Sequence, residues 1–144
     1  MKMMFHISEI LSDHLIQSAL SDLLSGAEVI LDDIRFDSSK KAVDIQLTRY
    51  PVTERKSFLG FRRRIRDSKG IRSKIAISNV EKSETHLADT CRGISKITLL
   101  FGIGFRDQTI FFGSVQEASG KHCYSARYWG PDLVLEVRDG IHDA

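Results

Sequence analysis

Apolar residues alternate with polar ones at every second position through much of the chain after residue 28. The pattern is clearest in three runs, at 43–48, 71–78 and 97–105. Because successive side chains of a β-strand point to opposite faces, this spacing predicts strands that each bury one face. Less regular runs raise the expected number of strands to about seven. They lie at 28–36, 109–117, 121–129 and 132–138.

One segment near the N-terminus has a helical period instead. Within 12–25, six apolar residues fall on one half of a 3.6-residue helical wheel, and polar residues occupy the other half. Ser12 can cap the start of this helix and Gly26 can end it. Two alternatives stay open upstream, namely an earlier helix start at Ser8 and a short strand over 3–7.

The fold class follows from what comes after this helix. No second helical stretch follows Gly26, so the sequence lacks the crossover helices that join parallel strands. We therefore expect an α+β, mostly β fold, in which the N-terminal helix packs on an antiparallel sheet, sandwich or partial barrel. The length of 144 residues suits one domain over 1–144, with a strand-rich body at 28–138. The apolar run at 97–105 is expected in the middle of the sheet.

The formal net charge of +2 conceals an uneven distribution along the chain. Between Arg49 and Lys74 there are ten basic residues and two acidic ones, a net charge of +8. The remaining residues include 11 basic and 17 acidic side chains, a net charge of −6. Segregation of this kind indicates a surface for an anionic partner.

The segment 51–70 contains most of this positive charge and has neither a helical nor a strand period. It therefore predicts a long basic loop, and loops beyond about 12–15 residues are usually functional or disordered. Aromatic residues among its arginines suit single-stranded nucleic acid, whose phosphates bind guanidinium groups and whose bases stack on aromatic faces. An anionic membrane surface or an acidic protein would also suit this mixture. The candidate binding residues are Phe61, Arg62, Arg63, Arg64 and Arg66.

The loop has an alternative interpretation as a solvated surface. Its charge could be balanced by the acidic remainder of the same domain or of a second copy, while Phe58, Leu59, Phe61 and Ile65 pack into the core as a short amphipathic turn. Our hypothesis is a non-catalytic binding domain that contacts an anionic partner through the loop. The alternatives are a small enzyme of unknown class and a protein–protein interaction domain, either of the immunity type or for self-association.

No motif in the sequence predicts a catalytic residue, a cofactor or a metal site. SGKH at 119–122 lacks the first glycine of a phosphate-binding loop, and no helix is expected after it. His122 and Cys123 are neighbours on an expected strand, so they point to opposite faces and cannot form a nucleophile–base pair with each other. Asp139 and His142 lie near a chain end that we expect to be solvated.

An enzyme would require a deep pocket lined by convergent polar groups with perturbed ionisation, for example around His122 or Asp44. The sequence has two cysteines, Cys91 and Cys123, without metal-ligand spacing, and we expect neither a disulfide nor a zinc site. No stretch reaches 18 apolar residues and no signal peptide is evident. These features predict a cytoplasmic protein without a membrane span.

Overall fold

The computed structural model describes residues 2–56, 59–60, 62–66, 69–89, 93, 95–114 and 123–140. Two helices follow the first strand. They are α1 (Ile7–Ser12) and α2 (His14–Leu24). The carboxylate of Asp13 caps α2 by accepting a 2.9 Å hydrogen bond from the Leu15 amide, so the cap is Asp13 and the prediction of Ser12 was wrong. Gly26 follows the helix with φ +90°, the left-handed backbone expected there.

Eleven strands form from the described residues, and all their pairings are antiparallel. The strands are β1 (Lys2–His6), β2 (Glu28–Asp37), β3 (Ala42–Arg49), β4 (Val52–Lys56), β5 (Arg62–Arg66), β6 (Ile71–Ser78), β7 (Lys82–Leu87), β8 (Lys96–Gly104), β9 (Thr109–Ser114), β10 (Tyr124–Trp129) and β11 (Val134–Asp139). Nine of them form one sheet in the order β1-β11-β6-β3-β2-β8-β9-β10-β7. The other two, β4 and β5, pair only with each other.

The predicted fold class of α+β, mostly β with an N-terminal helix, is confirmed, although the number of strands was underestimated. The apolar run at 97–105 forms β8, which lies inside the sheet between β2 and β9 as expected. This strand ends at Gly104, however, and Phe105 lies in the following turn with 61% of its surface exposed. The residue therefore does not extend the buried face, contrary to the alternating pattern.

The core lies between the two helices and one face of the nine-stranded sheet. Alternate positions of each strand contribute to it, as Ile45 of β3 and Leu99 of β8 do, both fully buried. From the helices, Ile10 and Leu20 are buried against the same cluster. Backbone hydrogen bonds fix α2 to the sheet, since the Gly26 amide donates to the Leu99 carbonyl over 2.8 Å.

The sheet is open, because its terminal strands β1 and β7 do not pair with each other. Its second face points away from the helices and contains mostly polar side chains. Neither of the two described helices is long and apolar enough to cross a membrane.

Candidate functional site

The basic segment predicted as a loop at 51–70 contains the strands β4 and β5, which pair as an antiparallel hairpin. We call residues 52–66 the basic hairpin. In the chain it lies between β3 and β6, which are themselves neighbours in the sheet. The prediction missed these strands because five-residue strands of mostly charged residues have little apolar alternation. Gly60, with φ +85°, was the available turn signal.

The basic hairpin contains six basic residues and one acidic residue, a net charge of +5, and leaves −3 for the rest of the chain. Four of the five predicted binding residues are consecutive or alternate positions of β5: Arg62, Arg63, Arg64 and Arg66. The fifth, Phe61, lies outside the described residues. The structure therefore places the four arginines together on one short strand.

The register of the hairpin sets basic positions opposite one another. Arg55 pairs with Arg63, and Lys56 pairs with Arg62. The acidic position, Glu54, pairs with Arg64. Like charges directly opposite across an antiparallel ladder destabilise it, by a few tenths of a kcal/mol to about 1 kcal/mol for each pair. By backbone register, two positions of the hairpin thus set like-charged residue types opposite each other and one sets opposite charges.

The segment between Arg49 and Lys74 is wider than the basic hairpin, and its outer cations belong to the sheet. Lys74 of β6 lies 3.5 Å from a carboxylate oxygen of Asp44 on the neighbouring strand β3. Arg49, at the end of β3, is only 7% exposed and forms an ion pair in the protein interior. The positive charge that lies outside the nine-stranded sheet is therefore smaller than the net +8 counted over 49–74 in the sequence.

The ion pair of Arg49 lies next to the point where the hairpin leaves the sheet. Its Nε and Nη2 atoms donate to the two carboxylate oxygens of Asp139 at 2.9 and 2.6 Å, and the Ser73 hydroxyl donates to the same carboxylate at 2.5 Å. Hydrogen bonding from Arg49 lowers the pKa of Asp139, against the opposing effect of burial. The network joins β3, β6 and β11 and holds the root of the hairpin in a fixed place.

Close packing also fixes the chain at Gly70, directly before β6. A Cβ atom added to Gly70 would lie 2.4 Å from the Thr48 Cγ2 atom and 3.2 Å from a ring carbon of Tyr50. These side chains occupy the space that any larger residue at position 70 would need. A cavity of about 190 Å³ lies between α2 and the hairpin root, lined by Ala19, Asp22, Leu23, Arg49, Pro51 and Val52.

A second depression lies on the outer face of the sheet near the hairpin root. It measures about 200 Å³ and includes Glu28, Lys96 and Thr48 in its lining. Glu28 and Lys96 form an ion pair of 2.8 Å, which lowers the pKa of the carboxyl and raises that of the ammonium group. Both groups are exposed to solvent to a large extent, so this pair contributes little to stability. It adds mixed charge to the surface beside the basic hairpin.

The other residues weighed for chemistry have different positions. Asp44, named for a catalytic pocket, pairs with Lys74 on the outer face of the sheet, whereas His122 and His142 lie outside the described residues. The nearby Asp139 is in the interior network and not in a solvated chain end, so that expectation was wrong for this residue. Among the described residues no group of three His, Cys, Asp or Glu side chains is placed to bind a metal.

The expectation that the cysteines are reduced was wrong for Cys123, which is disulfide-bonded. Cys91 is the other cysteine of the sequence and lies outside the described residues. The Cys123 residue is 4% exposed, and its amide donates to the Ser114 hydroxyl at 2.9 Å. Cysteine spacing in the sequence gave no sign of the bond, because the distance between Cα atoms in the fold decides which cysteines can pair.

Comparison with known proteins gave no match to a family model, to a curated protein or to a solved structure.

Proposed function

We propose that this protein is a non-catalytic binding domain that contacts an anionic polymer, with single-stranded nucleic acid as the first candidate, through the basic hairpin at 52–66. The observation that carries the proposal is the register of β4 and β5. Arg55 opposite Arg63 and Lys56 opposite Arg62 are like-charge pairings that a row of phosphates would neutralise. Binding of a polyanion would therefore stabilise the hairpin as well as the complex.

Three acidic groups of the nine-stranded sheet are paired with cations of the sheet itself. Asp44, Glu136 and Asp139 each form an ion pair with a cation of the nine-stranded sheet. Those cations are Lys74, Arg138 and Arg49. These carboxylates are already engaged, so they are poor partners for the hairpin.

The test is a titration of labelled single-stranded RNA and DNA oligonucleotides at several salt concentrations. A variant with R62Q, R63Q and R64Q removes three positive charges from β5. The control variant carries K40Q, K41N and R106Q, three charges in exposed turns outside the hairpin. Lys41 has φ +52°, which asparagine tolerates, so the control should fold normally.

We expect the wild type and the control to bind with the same salt dependence. The hairpin variant should lose affinity, and its slope of log affinity against log salt should fall by about 2, since each phosphate contact contributes about 0.7 for a single strand. Equal loss in both triple variants would show that only overall charge matters. No salt-sensitive binding by the wild type would refute the polyanion proposal. Vesicles with anionic lipids are titrated in parallel. Binding to vesicles but not to oligonucleotides would identify the ligand as an anionic membrane surface and not as nucleic acid.

The location of the protein bears on the choice of ligand. The cytoplasmic prediction used the absence of a signal peptide and the interpretation of both cysteines as reduced, and the disulfide at Cys123 removes the second of these supports. Disulfides persist in oxidising compartments and are rare in the cytosol. Anionic polymers outside the cytosol therefore belong in the same titration series.

A further inference from the structure

Strand β7 lies at the end of the nine-stranded sheet and pairs with β10 on one side. No described strand pairs with its other side. Five of its six residues are exposed, including Leu87 with 42% of its surface. An open edge of this length presents a row of backbone donors and acceptors on which another strand can add.

The hydrogen bonds of β7 show which backbone groups face this open side. The amide just beyond the strand, that of Ala88, donates to the Cys123 carbonyl at 2.9 Å, and the register between β7 and β10 continues without a shift. In an antiparallel ladder every second residue exchanges hydrogen bonds with a given neighbour. Those facing β10 are Glu84 and His86, with Lys82 at the strand start. Ser83, Thr85 and Leu87 consequently present their amides and carbonyls to the open side.

We propose that β7 pairs with β7 of a second copy of this chain, antiparallel, about a twofold axis through Thr85. In this register Thr85 lies opposite its own counterpart. Ser83 lies opposite the partner subunit's Leu87, and the reverse pair forms by symmetry. All three positions present outward backbone groups, so the ladder forms about six hydrogen bonds without disturbing β10. The two nine-stranded sheets become one continuous sheet.

Side-chain complementarity favours this occupant, because an imidazole N–H can donate a hydrogen bond to a carboxylate. The same register sets Glu84 opposite the partner subunit's His86, twice about the axis. Both side chains lie on the outer face, where they line a depression of about 240 Å³ with Ser125 and Arg127. On the inner face Leu87 comes opposite Ser83 of the partner subunit, which covers an exposed apolar side chain. The strand is thus complementary to itself in its carboxylate and imidazole side chains as well as in its backbone pattern.

The opposite edge of the sheet lacks this property. The amide of Ile7 donates to the Leu133 carbonyl, so the outward backbone groups of β1 belong to Lys2, Met4 and His6. A twofold axis through Met4 would set Lys2 opposite His6 of the partner subunit. That pairing brings two basic side chains together, and β7 is therefore the edge we assign to dimerisation.

The proposal is tested by sedimentation equilibrium of the wild type and of variants over a range of protein concentrations. T85P removes an outward amide and places a ring on the open side, whereas T85A retains the amide. Both variants lose the Thr85 hydroxyl, which hydrogen-bonds to Tyr124, so that loss is matched between them. We expect dimers for the wild type and T85A, and monomers for T85P.

Charge variants keep the test decisive if T85P fails to fold. H86E sets two like-charge pairs across the axis and should raise the dissociation constant about tenfold, whereas H86K sets a cation opposite Glu84 and should not weaken the dimer. A wild type that is monomeric at all concentrations overturns the proposal. So does a dimer that H86E leaves as stable as the wild type. The measurement contains no polyanion, so its outcome is independent of the function proposed for the hairpin.

Discussion

Replacing Asp139 with asparagine tests the idea that an interior ion pair fixes the root of the basic hairpin. The substitution keeps the shape of the side chain but removes its charge. Arg49, a residue only 7% exposed, then has a buried guanidinium without an anionic partner. Removing one member of a buried pair usually costs 3–5 kcal/mol. The Asp139 side chain is 12% exposed and asparagine keeps one hydrogen-bond acceptor. We therefore expect a loss of stability at the lower end of this range, about 3 kcal/mol.

The assay is reversible urea unfolding, followed by circular dichroism and supported by thermal scans. Unfolding entropy is about 2.1 cal/mol/K per residue, so a chain of 144 residues gains about 0.3 kcal/mol/K on unfolding. A loss of about 3 kcal/mol therefore lowers Tm by about 10 °C. The dependence of free energy on urea should keep its slope, because the surface exposed on unfolding is unchanged.

The pH dependence gives an independent check on the same carboxyl. Hydrogen bonding from Arg49 holds the pKa of Asp139 below its ordinary range in the folded protein, although burial opposes this. A lowered folded pKa contributes stability above the unfolded value, near pH 4, and this contribution disappears as the pH falls through the folded value. The difference in unfolding free energy between the wild type and D139N should therefore become smaller below about pH 4.

A double variant identifies the cause of the loss. In R49M/D139L both charges are gone, so no unpaired charge stays buried, and we expect this protein to be more stable than D139N. A D139N variant that loses less than about 1 kcal/mol would refute the reasoning. So would a double variant less stable than D139N, because the cost would then come from lost packing and not from an unpaired guanidinium.

Three further predictions concern packing and the disulfide. Gly130→Ala would place a Cβ atom 2.4 Å from the Asn79 carbonyl oxygen, and this clash with backbone should cost about 1–3 kcal/mol in urea unfolding. The Phe111 ring covers Gly113, since a Cβ atom built on that glycine would lie only 3.0 Å from the ring. Phe111→Ala should uncover this backbone and lower the free energy of unfolding by about 1–2 kcal/mol in the same assay. Alkylation followed by mass spectrometry should modify Cys123 only after reduction, and reduction should lower stability by about 2–4 kcal/mol; modification without reductant would contradict the disulfide.

The parts of the fold that the sequence predicted are those where burial produces a period. β3, β6 and β8 bury alternate residues, and α2 buries one stripe, so their patterns were visible without any tertiary information. β7 was missed for the opposite reason. As an edge strand with five exposed residues, KSETHL buries too little to show alternation, and its pairing with β10 defines it.

The candidate site was only half predictable. Charge composition identified the arginines of β5, because electrostatic segregation is a property of the sequence itself. Composition does not reveal the strand register that sets Arg55 opposite Arg63. It also does not show that Arg49 belongs to the interior of the sheet and not to the hairpin. Both facts depend on which strands are neighbours in space, and the partner of Arg49 lies 90 residues away in the chain.

The hairpin and the β7 edge make different demands on a ligand, and the two proposals can be separated on that basis. The hairpin leaves the sheet between β3 and β6, whereas β7 is the terminal strand on the far side of β10, so pairing at β7 leaves both hairpins of a dimer outside the interface. A dimer then offers two sites of net charge +5 to one polymer. Linked sites raise affinity only for a ligand long enough to span them. Ligand length therefore reports on dimerisation, while the salt slope of a short oligonucleotide reports on the arginines of a single hairpin.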